Sequence, residues 1–387
     1  MKSHILPVLF VLLSFGQTAG DRVLPGSPLP GISSRELELF RLGLEDFIAI
    51  ETAEDGLGPS FNGNSCASCH SVPAIGGIST MTEVRAGHRD EDGKFTVLNG
   101  GTLYHLFSIP PHQCQVQIPA EANVIARRAP IALFGDGLIE AIPDQTIVAL
   151  EDPEDRDGDG VKGRAARLTD VATGHPRIGR FGWKAQHATL LAFSADAYVN
   201  EMGITNDLFR EEAALGITPE QLKRCSPKRG IEDVRNRRTG LRSIDNFENF
   251  MRLLAPIGRG PIDGEVRAGD ALFKSTGCAT CHTPLLMTGP NVNPVFDRQR
   301  VELYSDLLLH SIGTGDGIEQ EPATGEEIRT PALWGLRFRR PLLHDGSAAT
   351  AEEAIRRHAG EAKRALDRFT ELTDKDRRAL IHFLNSL

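Results

Sequence analysis

The sequence contains the same five-residue arrangement twice. One copy runs from Cys66 to His70 and the other from Cys278 to His282. Each copy places two thiols about one helical turn apart and an imidazole directly after them. Two thiols at this spacing can bond to the vinyl-derived carbons of one haem, while the imidazole can ligate its iron. The motif therefore predicts two covalently attached c-type haems. The predicted attachment and iron-binding residues are Cys66, Cys69, His70, Cys278, Cys281 and His282.

Two other kinds of site also use paired cysteines. A structural zinc site could combine both pairs, but zinc has no need of a histidine directly after each pair. A thioredoxin-like dithiol needs one pair in a βαβ setting, which the sequence does not indicate. Both alternatives explain less of the motif than haem does.

Length and charge limit the class of protein. The chain has 387 residues, of which 40% are hydrophobic, so it can build two domains with their own cores. Its formal net charge of -9 provides no general attraction for a phosphate backbone, so nucleic acid is not an expected partner.

The first twenty residues have the pattern of a secretory signal peptide. Lys2 precedes an apolar stretch over residues 5–15, and small residues end at Gly20. This stretch is shorter than the roughly 20 residues that span a bilayer, and no later segment is long enough, so no membrane span is expected. The mature protein is predicted to be periplasmic or otherwise exported. Outside the cytoplasm Cys114 and Cys225 can form a disulfide, although the sequence does not decide whether they meet.

The expected fold is mainly α, with two cytochrome c-like haem domains. The first covers residues 21–242 and contains a long irregular insertion with short strands, and the second covers residues 243–387. Strand-like runs occur at 95–97, 116–118 and 146–150. Ser33 and Glu36 form the capping box of a first helix, a single helix is predicted from 351 to about 369, and Thr373 caps a last helix over 374–387.

An acidic segment in the insertion resembles the start of a calcium loop. Asp155, Asp157 and Asp159 alternate and are followed by Gly160, but the twelfth position is Ala166 rather than the bidentate Glu. The segment is either a calcium site completed by more distant oxygens or an acidic turn without metal.

Several further stretches are typical of one known family. They are Gly58-Pro-Ser-Phe-Asn62, Arg127-Arg-Ala-Pro130, Phe181-Gly-Trp-Lys-Ala185, Glu201-Met-Gly-Ile-Thr-Asn206 and Leu343-His-Asp-Gly346. With the two haem motifs, they make the chain resemble the exported di-haem oxidoreductases of peroxidase type, distant relatives of the bacterial di-haem cytochrome c peroxidases. The resemblance implies an enzyme that reduces peroxide at the N-terminal haem, with electrons relayed from a small redox protein through the C-terminal haem.

The resemblance also implies roles for individual residues. His358 follows His344 by fourteen residues, where the relatives have a methionine ligand, so His358 is expected to ligate the second haem iron with His282. His88 is the expected distal residue of the first haem, and Glu140 the expected catalytic acid. Trp183 or Trp334 is a candidate electron relay between the haems, and packing in a hydrophobic core is the alternative role for both.

Two other functions stay open from the sequence. A di-haem electron-transfer protein needs two ligands on each iron and no acid/base group. A maturation enzyme would use the same two haems to oxidise a partner protein.

Overall fold

The computed structural model describes residues 23–109, 114–226 and 230–387. The predicted signal peptide at residues 1–20 lies outside them. Of the described residues, helices and short 3-10 turns account for about 30%, and strands and isolated bridge residues for about 14%. Helix therefore predominates over strand, but irregular segments make up the larger part, so the expected mainly α fold is met only in part.

The helices of the described residues are mostly short. Helices α1 to α11 span, in chain order, Ser34–Ile48, Asp136–Glu140, Asp144–Val148, Leu190–Met202, Pro219–Cys225, Ser243–Leu253, Gly264–Ser275, Cys278–Cys281, Ala351–Arg356, Lys363–Glu371 and Asp374–Leu384. No helix in this part of the chain is long and apolar enough to cross a membrane.

The strands form small antiparallel sheets. Strands β1 to β12 span Ser60–Phe61, Glu83–Arg89, Phe95–Thr96, Leu103–Tyr104, Phe107–Ser108, Val124–Arg128, Ala166–Thr169, Pro176–Gly179, Leu286–Met287, Arg300–Val301, Leu309–His310 and Ile328–Arg329. The largest sheet has β2 at its centre, paired with β3, β4 and β6.

Helix α1 contributes to the first hydrophobic core, the cluster of buried residues that includes Phe40 and Phe47. The predicted capping box is present, because the Ser33 backbone N–H donates to Glu36 Oε2 at 2.7 Å and the Glu36 N–H donates to Ser33 Oγ at 3.3 Å. Phe40, Gly43 and Phe47 form the buried face of α1, which packs against α6. A Cβ on Gly43 would lie 2.3 Å from a backbone oxygen of α6, so glycine permits this close approach.

The second core repeats this helix pair. Helix α7 packs against α11, and Phe273 and Phe383 are fully buried between them with ring centroids 5.2 Å apart. Gly269 lies at the crossing, where a Cβ would come within 2.1 Å of a backbone oxygen of α11. Each haem motif is thus preceded by a helix that crosses a later helix at a glycine.

The cores do not divide where the predicted domains do. Helix α6 begins at Ser243, after the predicted boundary, yet its Phe247 and Phe250 are buried with α1 in the first core. Leu286 and Phe296, still later in the chain, also belong to that core. The segment after the second haem motif therefore helps to close the first core.

Three local predictions differ from the structure. Residues 146–150 lie mostly in helix α3, because Asp144 opens a helical turn and Ile147 is fully buried against the first core. Residues 116–118 form no strand; Val116 instead packs beside Leu222. The helix predicted over 351–369 is interrupted between α9 and α10, where Gly360 has a φ of +51°.

Cys114 and Cys225 form a disulfide, with Cα atoms 5.7 Å apart. The bond joins two segments that share a small core with Val116, Ile217 and Leu222. The structure thus answers the question that the sequence left open.

Candidate functional site

Each haem motif lines its own large cavity. Cys66, Cys69 and His70 line the first cavity, which has about 1330 Å³ of unfilled space including its mouth. The second motif lines the second cavity, which has about 1560 Å³. Each motif thus lines a cavity of its own, separate from the cavity of the other motif.

The cysteines do not suit the alternatives to haem. The two pairs line different cavities, so they cannot share one zinc ion. Burial raises the pKa of Cys66 to about 12 and that of Cys69 to about 11. A redox dithiol needs a thiolate, so these buried thiols are poorly suited to that chemistry.

The three expected iron ligands share one orientation. The Nδ1 atoms lie 2.9 Å from the Gly77 oxygen for His70, 3.1 Å from the Tyr304 oxygen for His282, and 2.7 Å from the Ala354 oxygen for His358. A carbonyl can only accept, so Nδ1 carries the proton and donates. Nε2 keeps its lone pair, as in histidines that bind metals. This donor set fits haem iron.

The second cavity brings together two of these histidines. His282 and His358 both line it, and His358 lies in the interruption between α9 and α10. The predicted continuous helix would have carried the chain past this point. The interruption thus brings His358 into the cavity of His282.

Buried positive charge in the second cavity fits the two propionates of a haem. Arg329 and Arg339 both line the cavity. Burial lowers the pKa of Arg339 to about 10, and burial also lowers that of Arg329 to about 10, although Asp136 opposes it. A bound dianionic group would supply further negative charge beside these two guanidinium groups.

His88 and Glu140 do not line the first cavity. His88 lies on β2 opposite Thr96, and its Nδ1 donates to the Glu121 oxygen at 2.7 Å. Glu140 accepts from the Leu190 backbone N–H at 2.8 Å and pairs with Arg252 at 2.8 Å. The geometry therefore gives both residues structural contacts and does not bring either one to His70.

A pair of glutamates that the sequence analysis did not single out lines the first cavity. Glu83 at the start of β2 and Glu201 in the last turn of α4 are hydrogen-bonded to each other. Arg85 Nε donates to Glu83 Oε1 at 2.6 Å, and Asn62 Nδ2 donates to Glu201 Oε2 at 2.8 Å. The one indication in the sequence was that Glu201 begins a stretch typical of the family, residues 201–206.

The two glutamates differ in charge. Burial raises the pKa of Glu201 well above its ordinary value, and the neighbouring Glu83 adds to this. Burial acts in the same direction on Glu83, but the Arg85 guanidinium outweighs it and leaves the pKa below its ordinary value. Two carboxyl groups that are hydrogen-bonded to each other must share a proton, and the two pKa directions favour its position on Glu201 rather than on Glu83.

Trp183 lies between the two cavities. Among the described residues that line either cavity, it is the one that lines both. Its Nε1 donates to the Ala129 oxygen at 2.8 Å, and its ring meets His344 edge-on at 6.1 Å. Trp334 is buried in the first core and lines neither cavity. The geometry thus favours Trp183 as a relay.

The acidic segment brings its three carboxylates together. Oxygen atoms of Asp155, Asp157 and Asp159 lie within 4.8 Å of one another. Each of these residues also accepts a backbone N–H of the same loop, at Gly160, Asp159 and Val161 respectively. Asp159 in addition lines the second cavity.

Solved structures similar to this chain share its length but little of its sequence. Kuenenia stuttgartiensis hydrazine synthase is 15% identical with a TM-score of 0.43, and all of both chains is covered. A MauG-like protein associated with microbial copper homeostasis is 17% identical with a TM-score of 0.40, covering 93% of this chain and 92% of that one. A variant of the diheme peroxidase BthA from Burkholderia thailandensis is 16% identical with a TM-score of 0.42, covering 90% and 85%.

Family membership rests on the sequence match. No curated protein matches the chain. The model of a family described as "Di-haem oxidoreductase, putative peroxidase" matches residues 114–387, which is most of the chain. The protein therefore belongs to the di-haem oxidoreductases, and it is an oxidoreductase enzyme that uses two haems.

Proposed function

We propose that this protein is an exported enzyme that reduces a peroxide in the first cavity, with electrons supplied by a small redox protein through the second haem. The proton-sharing pair of Glu83 and Glu201 carries this proposal, because it lies in the cavity of His70. The family supports the redox chemistry, and the pair supports the assignment of peroxide chemistry to the first cavity.

In this proposal both haems are attached covalently. The first is held by Cys66 and Cys69 with His70 on its iron, and the second by Cys278 and Cys281 with His282 and His358 on its iron. The donation of all three Nδ1 atoms to backbone carbonyls and the separate cavities support this assignment. A haem bound in the first cavity would supply the iron that binds a peroxide and passes electrons to it.

The glutamate pair would move the proton that cleavage of the O–O bond requires. A proton must leave the inner oxygen and reach the outer one, so that water departs. Ionised Glu83 can accept a proton while Glu201 donates one, because the two carboxyls already share a hydrogen bond. Arg85 and Asn62 hold the two side chains in place through the contacts described above. Hydrogen peroxide, two electrons and two protons then give two molecules of water.

Trp183 is the proposed relay between the haems, because it lines both cavities and is fixed by its hydrogen bond to Ala129. A pure electron carrier has no use for a buried proton-sharing pair beside one haem. The disulfide between Cys114 and Cys225 supports an exported protein, since such bonds persist in oxidising compartments.

Steady-state turnover tests this function. The haem-loaded protein, mixed with a reduced small cytochrome and hydrogen peroxide, is expected to oxidise the cytochrome continuously, with two electrons consumed per peroxide. Absorption spectra before and after one equivalent of peroxide, in oxidised and half-reduced protein, provide the second measurement. An absence of turnover together with unchanged spectra in both states would identify an electron carrier instead.

We also propose that Asp155, Asp157 and Asp159 hold one calcium ion, because their oxygens converge. Calorimetry on chelator-treated protein is expected to detect binding at millimolar calcium, and Asp157→Asn should weaken it because one charged ligand is lost. If the chelator-treated wild-type protein binds no calcium at that concentration, the segment is an acidic turn.

A further inference from the structure

A third cavity adjoins the first one. It has about 1420 Å³ of unfilled space including its mouth, and it lies between strands of the β2 sheet, helix α4 and the loop at residues 319–324. Hydrogen peroxide has two heavy atoms and is scarcely larger than water. The third cavity therefore has far more room than that substrate needs.

The wall between the first and third cavities consists of Arg85, Asp196 and Asn200, which line both. Arg85 donates to Glu83 in the first cavity, and its Nη1 donates to Thr102 Oγ1 of the third cavity at 3.0 Å. The other two residues of the wall contact each other, because Asn200 Nδ2 donates to Asp196 Oδ1 at 2.8 Å. The guanidinium of Arg85 thus reaches from the glutamate pair to the third cavity.

The lining of the third cavity has an apolar part and an acidic part. Phe95, Val97, Leu103 and Ala213 contribute hydrophobic surface. Carboxylates occur at Asp196, Glu319 and Glu321. These surfaces suit an organic molecule better than an inorganic ion.

The charges of this lining favour a neutral ligand. Arg85 is paired with Glu83, so its charge is already balanced. His105 is held between the Ser60 hydroxyl, which donates to Nδ1, and the Asn200 oxygen, which accepts from Nε2, and burial lowers its pKa. Glu319 is likewise paired with Arg89, at 3.2 Å, so an anion would find no unpaired cation among the described lining residues of this cavity.

We propose that the third cavity binds the organic part of a neutral alkyl or aryl hydroperoxide, whose O–O group extends past Arg85 to the glutamate pair. This inference rests on the proposed peroxide reduction and names its substrate class. The hydroperoxide takes up two electrons from the reduced redox protein and two protons. Its O–O bond breaks, and an alcohol and water are released.

Filling the third cavity tests the proposal by activity. Val97→Trp and Ala213→Trp would each fill it from a different wall, because both residues line it and are solvent-exposed. Either substitution should lower kcat/KM for cumene hydroperoxide by about tenfold or more while changing that for hydrogen peroxide by less than about twofold. The matched control is Val171→Trp at an exposed valine away from the three cavities, which should leave both rates unchanged. Equal slowing of both peroxides would make the cavity a general access route and overturn the proposal.

Calorimetric binding of cumyl alcohol, the product, separates this inference from the proposed function. Wild type and Val171→Trp should bind the alcohol, the two filled variants should bind it at least about tenfold more weakly, and the similarly sized anion phenylacetate should bind weakly to all four. Alcohol binding that survives both fillings, or phenylacetate binding as tight as alcohol binding, would overturn the cavity assignment. If the protein reduces neither peroxide but binds the alcohol as expected, the proposed function fails while the neutral organic site stands.

Discussion

Glu201→Gln should lower kcat/KM for hydrogen peroxide by about 10²–10⁴-fold, the usual contribution of a general acid or base. Gln keeps the shape of the side chain but cannot donate and regain the shared proton. Steady-state kinetics with a reduced cytochrome measures the effect. The haem content and the absorption spectrum should stay as in wild type, because Glu201 is proposed neither to attach haem nor to ligate iron.

The same substitution at Glu140 distinguishes the two candidate acids. Glu140 pairs with Arg252 outside the first cavity, so Glu140→Gln should retain most of the peroxide turnover. If Glu140→Gln loses the activity and Glu201→Gln keeps it, the expectation from family resemblance is correct and the assignment of the glutamate pair is wrong.

His358→Ala should convert one of the two haems from a low-spin to a high-spin iron, because the second cavity would lose one of its two proposed ligands. The absorption spectrum of the oxidised protein measures this change. Haem staining after denaturing electrophoresis should be unaltered, since the proposed covalent attachment involves Cys278 and Cys281 and not His358.

His88→Ala is the matched control, because His88 lines neither haem cavity and its loss should leave the spectrum unchanged. A low-spin spectrum that persists in His358→Ala would refute the ligand assignment. His344, which also lines the second cavity, would then be the next residue to replace.

Strand β2 shows why position along the chain does not decide which side chains reach the first cavity. Glu83 and His88 lie on the same strand, five residues apart, which corresponds to about 17 Å along an extended chain. An odd separation also puts the two side chains on opposite faces. Glu83 and Arg85, two residues apart, share one face and reach the first cavity. The choice between these side chains depends on which face of the sheet covers the cavity.

The interruption before α10 likewise shows a feature of the second cavity that the sequence pattern does not predict. The pattern over residues 351–369 predicts one helix, and the capping residue Thr350 begins α9 where a helix is expected. Gly360 adopts a positive φ, and the residues between α9 and α10 are not α-helical. His358 lies in this interruption and lines the same cavity as His282. The resemblance implied this pairing, but helical periodicity alone would not have indicated the turn.

The sequence by itself determined the features whose geometry is local. The two Cys-x-x-Cys-His motifs predict haem because their reactive groups lie within about one turn, and the capping box at Ser33 needs only residues three apart. The tertiary structure decided which distant groups meet. It joined Glu83 to Glu201, put Trp183 between the cavities, and closed the first core with a helix that follows the predicted boundary. These contacts follow from how strands and helices pack, and residue spacing along one chain does not record that packing.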